Sequence, residues 1–185
     1  MKIVGKYTMR AVALGLGLEE RFFEQFQDNS FWILRLIGYP PLSSKSFQDE
    51  GISCGEHCDY GCLTILNTDE TRGALQVKSK SGDWIDADPV PGAFVINIGD
   101  MLSVWTNGLY ASTPHRVIHR GARSRISAPF FFEPNFDAVV EPLERCVRDS
   151  GRPPLRRPVM YGDHLLAKVG GNFDVAPPAA PPGHG

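Results

Sequence analysis

The chain has 185 residues, of which 42% are apolar and 22% charged, with a formal net charge of -2. That is the size of one domain with enough apolar content for a core. The small net charge gives no electrostatic reason to expect nucleic acid or an anionic membrane as partner.

From the N-terminus, the apolar stretch Ala11 to Leu18 is broken by Gly15 and Gly17 and runs into Glu19, Glu20 and Arg21, so it does not read as a signal peptide. No segment is long enough to span a bilayer. Residues 18–28 predict a helix. Leu18, Phe22, Phe23 and Phe26 recur at helical spacing, and Asp28-Asn29-Ser30 stops it. Phe31 to Ile37 suits a buried strand, ended by Gly38-Tyr39-Pro40-Pro41, and Ser43 to Cys54 is polar and loop-like. Short strands come next, near Leu63–Leu66, Ala74–Val77, Ala93–Ile98, His115–His119 and Ile126–Glu133. Turn residues such as Ser81-Gly82-Asp83, Pro91-Gly92 and Asn107-Gly108 separate them. Many short strands with Gly and Pro turns and little helix point to a mainly β sandwich or barrel. Met160 to Val169 predicts a closing helix, and the Pro/Ala/Gly composition of Ala176 to Gly185 predicts a disordered tail. The arginines between Arg116 and Arg125, and from Arg145 to Arg157, read as solvated faces.

The four cysteines are Cys54, Cys58, Cys62 and Cys146. They are too few and too unevenly placed for a disulfide framework, which favours a reducing, cytoplasmic setting. With His57 they could suggest zinc or an iron–sulfur site, but their spacing fits no common ligand pattern.

His57 and Asp59 stand at i and i+2, so on extended backbone both face one way while Cys58 points away. Two His and one carboxylate on a single face form the facial triad of non-haem Fe(II) oxygenases. A third ligand must come from elsewhere. His184 lies in the tail and His164 in the closing helix. His115 opens an apolar-alternating segment, and His119 shares its face further along. His-x-Asp alone is more often a surface turn, and the pattern gains specificity from the residues after His115. Arg125 and Ser127 are again i and i+2, across a turn containing Gly121. A hairpin there would bring Arg125 close to the strand carrying His115. A guanidinium with an adjacent hydroxyl suits the distal carboxylate of 2-oxoglutarate.

These residues resemble the 2-oxoglutarate- and Fe(II)-dependent oxygenases of the isopenicillin N synthase-like type. The resemblance runs through His57-Cys58-Asp59-Tyr60-Gly61, Leu63-Thr64-Ile65-Leu66, Leu75-Gln76-Val77 and Pro91 to Asp100. It continues with Trp105-Thr106-Asn107-Gly108, His115-Arg116-Val117, Arg125-Ile126-Ser127 and Pro129 to Pro134. It implies a double-stranded β-helix, or jelly roll, with a few flanking helices. It implies His57, Asp59 and His115 as Fe(II) ligands, with Arg125 and Ser127 holding 2-oxoglutarate and Tyr39 assisting. Ile37 stands where many members carry Asn. The chain would divide into an N-terminal helical segment (1–30), the oxygenase core (31–140), a C-terminal helical extension (141–175) and the tail (176–185).

The implied reaction is a dioxygenase oxidation, a hydroxylation or desaturation of a small organic substrate by molecular oxygen. Some members use ascorbate in place of 2-oxoglutarate, and Arg-x-Ser occurs among those too. Members usually carry a further N-terminal region, so a non-catalytic jelly-roll binding protein or a truncated member is the alternative.

Overall fold

The computed structural model describes residues 1–41 and 52–172. It opens with helix α1 (Lys2–Gly15) and a 3-10 turn (Phe22–Phe26), followed by strands β1 (Ile33–Leu34), β2 (Ile37–Tyr39) and β3 (Ile52–His57). Then come β4 (Leu63–Thr68), β5 (Leu75–Lys78), β6 (Trp84–Asp86), β7 (Val95–Ile98) and helix α2 (Asp100–Trp105). The last elements are β8 (His115–Ile118), β9 (Arg125–Phe132), β10 (Val139–Val140), α3 (Glu144–Ser150), β11 (Val159–Met160) and α4 (Tyr161–Asn172).

Two antiparallel sheets form a jelly roll. One has the order β1-β9-β4-β7, with β2 also on β9, and the other has the order β3-β8-β5-β6. The inner faces meet at a small apolar cluster of Tyr39, Leu75 and Val117, with Ile37, Cys54, Leu66 and Val95 around it. The outer face of the first sheet carries the larger core. There Leu63, Ile65, Phe130 and Phe132 pack with Met9 and Ala13 of α1, Trp105 of α2 and Tyr161 of α4. β9 serves both sides because its side chains alternate. Arg125, Ser127, Pro129 and Phe131 face the cavity between the sheets, while Phe130 and Phe132 face the outer core.

Three local expectations are corrected. The first long helix is Lys2–Gly15, seated by the stripe Gly5, Met9 and Ala13. A Cβ at Gly5 would meet the Phe132 ring at 2.7 Å, so only glycine lets the helix lie this close. Residues 18–28 hold only the short 3-10 turn, whose Phe23 and Phe26 pack on Trp105 at 5.1 and 5.3 Å between ring centroids. The run Phe31 to Ile37 is not one buried strand. It splits into β1 and β2, and Leu34 and Leu36 are 51% and 77% exposed. Pro129 accounts for the split. Its carbonyl accepts the Arg35 N–H at 3.0 Å, so its missing donor faces this same edge and the ladder lapses there. Finally, β8 and β9 form no hairpin. β8 pairs with β3 and β5, whereas β9 pairs with β4, β1 and β2, so the connection crosses from one sheet to the other.

Ile52–Cys54, expected as loop, begins β3. The rest of Ser43 to Cys54, and the tail from Ala176, lie outside the described residues. The closing helix expected at Met160 to Val169 is α4. Among the described residues no helix is long and apolar enough to cross a membrane.

Candidate active site

A cavity of about 380 Å³ lies between the sheets, with His57, Asp59, His115, Arg125, Ser127 and Tyr39 all on its wall. His57 ends β3 and His115 begins β8, and the two are register partners. Asp59 stands two residues after His57 and is 6% exposed. Its Oδ1 lies 4.0 Å from His57 Nε2 and 3.7 Å from His115 Nε2. One ligand atom from each residue falls within 4.8 Å of the others, a set that can close on a single metal ion.

The remaining polar atoms of the three side chains are occupied in a way that leaves the facing atoms free. His57 Nδ1 donates to the Gly55 carbonyl at 2.8 Å, and His115 Nδ1 donates to the Thr113 carbonyl at 3.1 Å. Each bond holds the Nδ1 proton, so that the neutral ring presents its Nε2 to the centre. Asp59 Oδ2 accepts from Thr64 Oγ1 at 2.6 Å and from Asn97 Nδ2 at 2.7 Å, which leaves Oδ1. Thr64 and Asn97 were not singled out as site residues from the sequence. The signal was a polar residue inside the apolar runs of β4 and β7, buried at Thr64 and half-buried at Asn97.

Cys54 also lines the cavity, its Sγ 3.6 Å from His57 Nδ1. The thiol contact, with the Gly55 carbonyl and the Asp59 charge, outweighs burial and pushes His57 up to about 9. Cys58 does not line the cavity. All four cysteines are free, and Cys62 and Cys146 are fully buried in the outer core. His119 does not join the cluster. Its Nε2 bonds the Arg123 carbonyl at 2.8 Å and closes the turn after β8.

Across the cavity, on the other sheet, Arg125 is 1% exposed. Its guanidinium lies over the ring of Tyr39, its register partner on β2, at 4.9 Å. Nε and Nη1 are buried with no hydrogen-bond partner. A buried guanidinium with open donors is costly unless an anion comes to meet it. Ser127, 3% exposed, stands two residues along on the same face. The wall facing Arg125 is apolar, formed by Leu75, Val77 and Val117. A His-Asp-His cluster that could hold a metal at one end, and a guanidinium with two unpartnered nitrogens at the other, suit a chelating acid with a second carboxylate.

The 2OG-Fe(II) oxygenase superfamily model matches residues 26–134. A homoarginine-6-hydroxylase of Glycine max is 50% identical over 92% of this chain and 53% of its own length. A 2-oxoglutarate-Fe(II) type oxidoreductase of Emericella nidulans is 36% identical over 86% of this chain and 46% of its own. Among solved structures, a full-length Neurospora crassa protein in complex with alpha-KG and thymine superposes with a TM-score of 0.84 at 33% identity, covering 93% of this chain and 54% of that one. The chain thus spans about half the length of the curated relatives it matches. The match covers both halves of the cavity, from the Arg125 end to the His57, Asp59 and His115 end, and the chain belongs to the 2OG-Fe(II) oxygenase superfamily.

Proposed function

We propose that this chain carries the catalytic site of an Fe(II)- and 2-oxoglutarate-dependent dioxygenase that hydroxylates a small organic molecule. His57 Nε2, Asp59 Oδ1 and His115 Nε2 hold the iron. Arg125, with Ser127 and Tyr39 beside it, holds the distal carboxylate of 2-oxoglutarate. The observation that carries this reading is the pair of open donors on buried Arg125, in the same cavity as the His-Asp-His cluster.

The bound iron supplies oxygen activation coupled to decarboxylation, so that R–H, O₂ and 2-oxoglutarate give R–OH, succinate and CO₂. The protein's part is placement. The Gly55 and Thr113 carbonyls accept the two Nδ1 protons and so turn both Nε2 atoms toward the metal side. Thr64 and Asn97 occupy Asp59 Oδ2, so that Oδ1 would be the oxygen offered to the metal. Arg125 fixes the far end of 2-oxoglutarate by charge and hydrogen bonding, and the apolar wall of Leu75, Val77 and Val117 excludes water from its carbon chain.

The first substrate to test is homoarginine. Homoarginine-6-hydroxylases of Glycine max, rice and Arabidopsis thaliana are 44% to 50% identical to this chain. The four free cysteines favour the cytoplasm, and the near-neutral charge disfavours nucleic acid as partner.

The deciding experiment is anaerobic addition of Fe(II) and 2-oxoglutarate, watching for the visible metal-to-ligand charge-transfer band. The band should be absent with His115→Ala and weakened with Arg125→Ala. An iron-loaded, folded chain with no band would overturn the 2-oxoglutarate assignment and favour the non-catalytic reading.

A further inference from the structure

Two chains of polar contact run from helix α4 to the turn that carries Asp59, and α4 lies beyond the 26–134 region that the superfamily model covers. Tyr161, 1% exposed, hydrogen-bonds through its hydroxyl to the carboxyl of Glu133. Glu133 is 4% exposed, also accepts from the Cys62 backbone, and has an Oε2 with no partner. It lies so close under the backbone of Gly61 that a Cβ there would coincide with its carboxylate. One and two turns further on, His164 and Lys168 reach Asp100 Oδ2 at 3.4 and 3.1 Å. The Asp100 N–H donates to the Asp59 carbonyl at 2.8 Å, and the Met101 N–H to the Gly61 carbonyl at 2.9 Å. Residues 161, 164 and 168 form one stripe of the helix, and the contacts end on both sides of residues 59–61.

A buried carboxyl with an open oxygen is a poor way to fill space, and an apolar side chain of the same volume would cost less. What the carboxyl provides is direction. It seats a glycine turn against a fixed group, two residues from the aspartate whose Oδ1 must meet the metal. We infer that α4 is a positioning element for the iron carboxylate, acting on Asp59 through Glu133 at Gly61 and through Asp100. This rests on the reading of Asp59 as a ligand given above.

The test uses the full chain with Glu133→Leu, Glu133→Gln and Tyr161→Phe. Anaerobic Fe(II) affinity and the Fe(II)–2-oxoglutarate band are measured beside the melting temperature. Burial, with the Asp59 charge adding to it, holds Glu133 up at about 8, so glutamine is a close stand-in for the neutral acid. Glu133→Leu should weaken Fe(II) binding about tenfold or more and shift the band, as loss of an outer-sphere support does. Glu133→Gln should restore both, with Tyr161→Phe falling between. A folded Glu133→Leu with native affinity and band overturns the inference. If that variant does not fold, Tyr161→Phe decides alone: weakened iron binding at an unchanged melting temperature supports the inference, and unchanged binding overturns it. An unaltered chain that binds no Fe(II) overturns the iron reading itself and this inference with it. Native binding that survives these substitutions overturns only the inference.

Discussion

His57 and His115 face each other as register partners of β3 and β8, their ring centroids 4.3 Å apart. Cross-strand pairing alone brings the two imidazoles together, and Asp59 needs only the next turn of chain to reach them. The pair is not symmetric. His57 shares its Nδ1 with Cys54 and stands at about 9, so in the metal-free chain it is protonated at neutral pH. Fe(II) needs the neutral imidazole. Metal uptake should therefore release about one proton, and apparent Fe(II) affinity should rise about tenfold per pH unit until His57 loses its proton without help. Calorimetry in buffers of different ionisation enthalpy reads the proton count. Cys54→Ala, which removes the largest cause of the shift, should flatten the dependence.

Thr64 and Asn97 act on the same carboxylate from the first sheet. Thr64→Val and Asn97→Leu each leave Asp59 Oδ2 short of a donor and free to swing. Each should weaken Fe(II) binding by roughly 10- to 100-fold, the range typical of outer-sphere partners, while Thr64→Ser keeps it. Anaerobic Fe(II) titration checks this.

Arg125→Lys preserves charge but not the fork that takes a carboxylate through two donors. Lysine also cannot lie flat on Tyr39 as the guanidinium does. The dissociation constant for 2-oxoglutarate should rise about tenfold, or about 1.4 kcal/mol, with iron affinity unchanged. A parallel loss of both would mean that Arg125 supports the fold and does not read the co-substrate.

Glu133 gives a stability signature. Its native value of about 8 lies above the ordinary 4.5, chiefly because it is buried. The folded chain therefore keeps a proton that the unfolded chain gives up. The associated stability is full below about 4.5 and is lost as pH climbs toward 8. The slope is up to about 1.4 kcal/mol per pH unit in the metal-free chain. Denaturant melts of the native chain and Glu133→Gln should converge at the acid end of that window, with only the native curve falling toward its alkaline end.

The strands that the sequence made legible are those where turn chemistry and alternation agree. β4, β5, β7, β8 and β9 sit where the apolar runs and their Gly and Pro separators put them. His57 with Asp59 and Arg125 with Ser127 stood out by their i, i+2 spacing, which survives in any extended backbone, while His115 and Tyr39 rested on the family resemblance; all six line one cavity. The features missed depend on partners far along the chain. α1 is recognisable only through Gly5, Met9 and Ala13, and Gly5 looks like a breaker until Phe132 lies against it. The break between β1 and β2 follows from the missing donor of Pro129, almost a hundred residues away. A short connection through Gly121 reads as a hairpin, yet β8 and β9 had better partners in opposite sheets. Glu133 looked like the polar end of a strand, and only the Gly61 turn beneath it shows why a carboxyl is there.

That crossing of β8 and β9 into separate sheets has one more consequence. On the proposed reading, the imidazoles belong to one sheet and the guanidinium to the other, so the span from metal to arginine is a span between layers. Layers of this kind stand about 10 Å apart, held by the side chains interleaved between them. The cavity then works as a gauge whose jaws are set by Leu75 and Val117 against Tyr39. Trimming Leu75 or Val117 should relax discrimination between diacids one carbon shorter or longer, even though neither residue need touch a carboxylate.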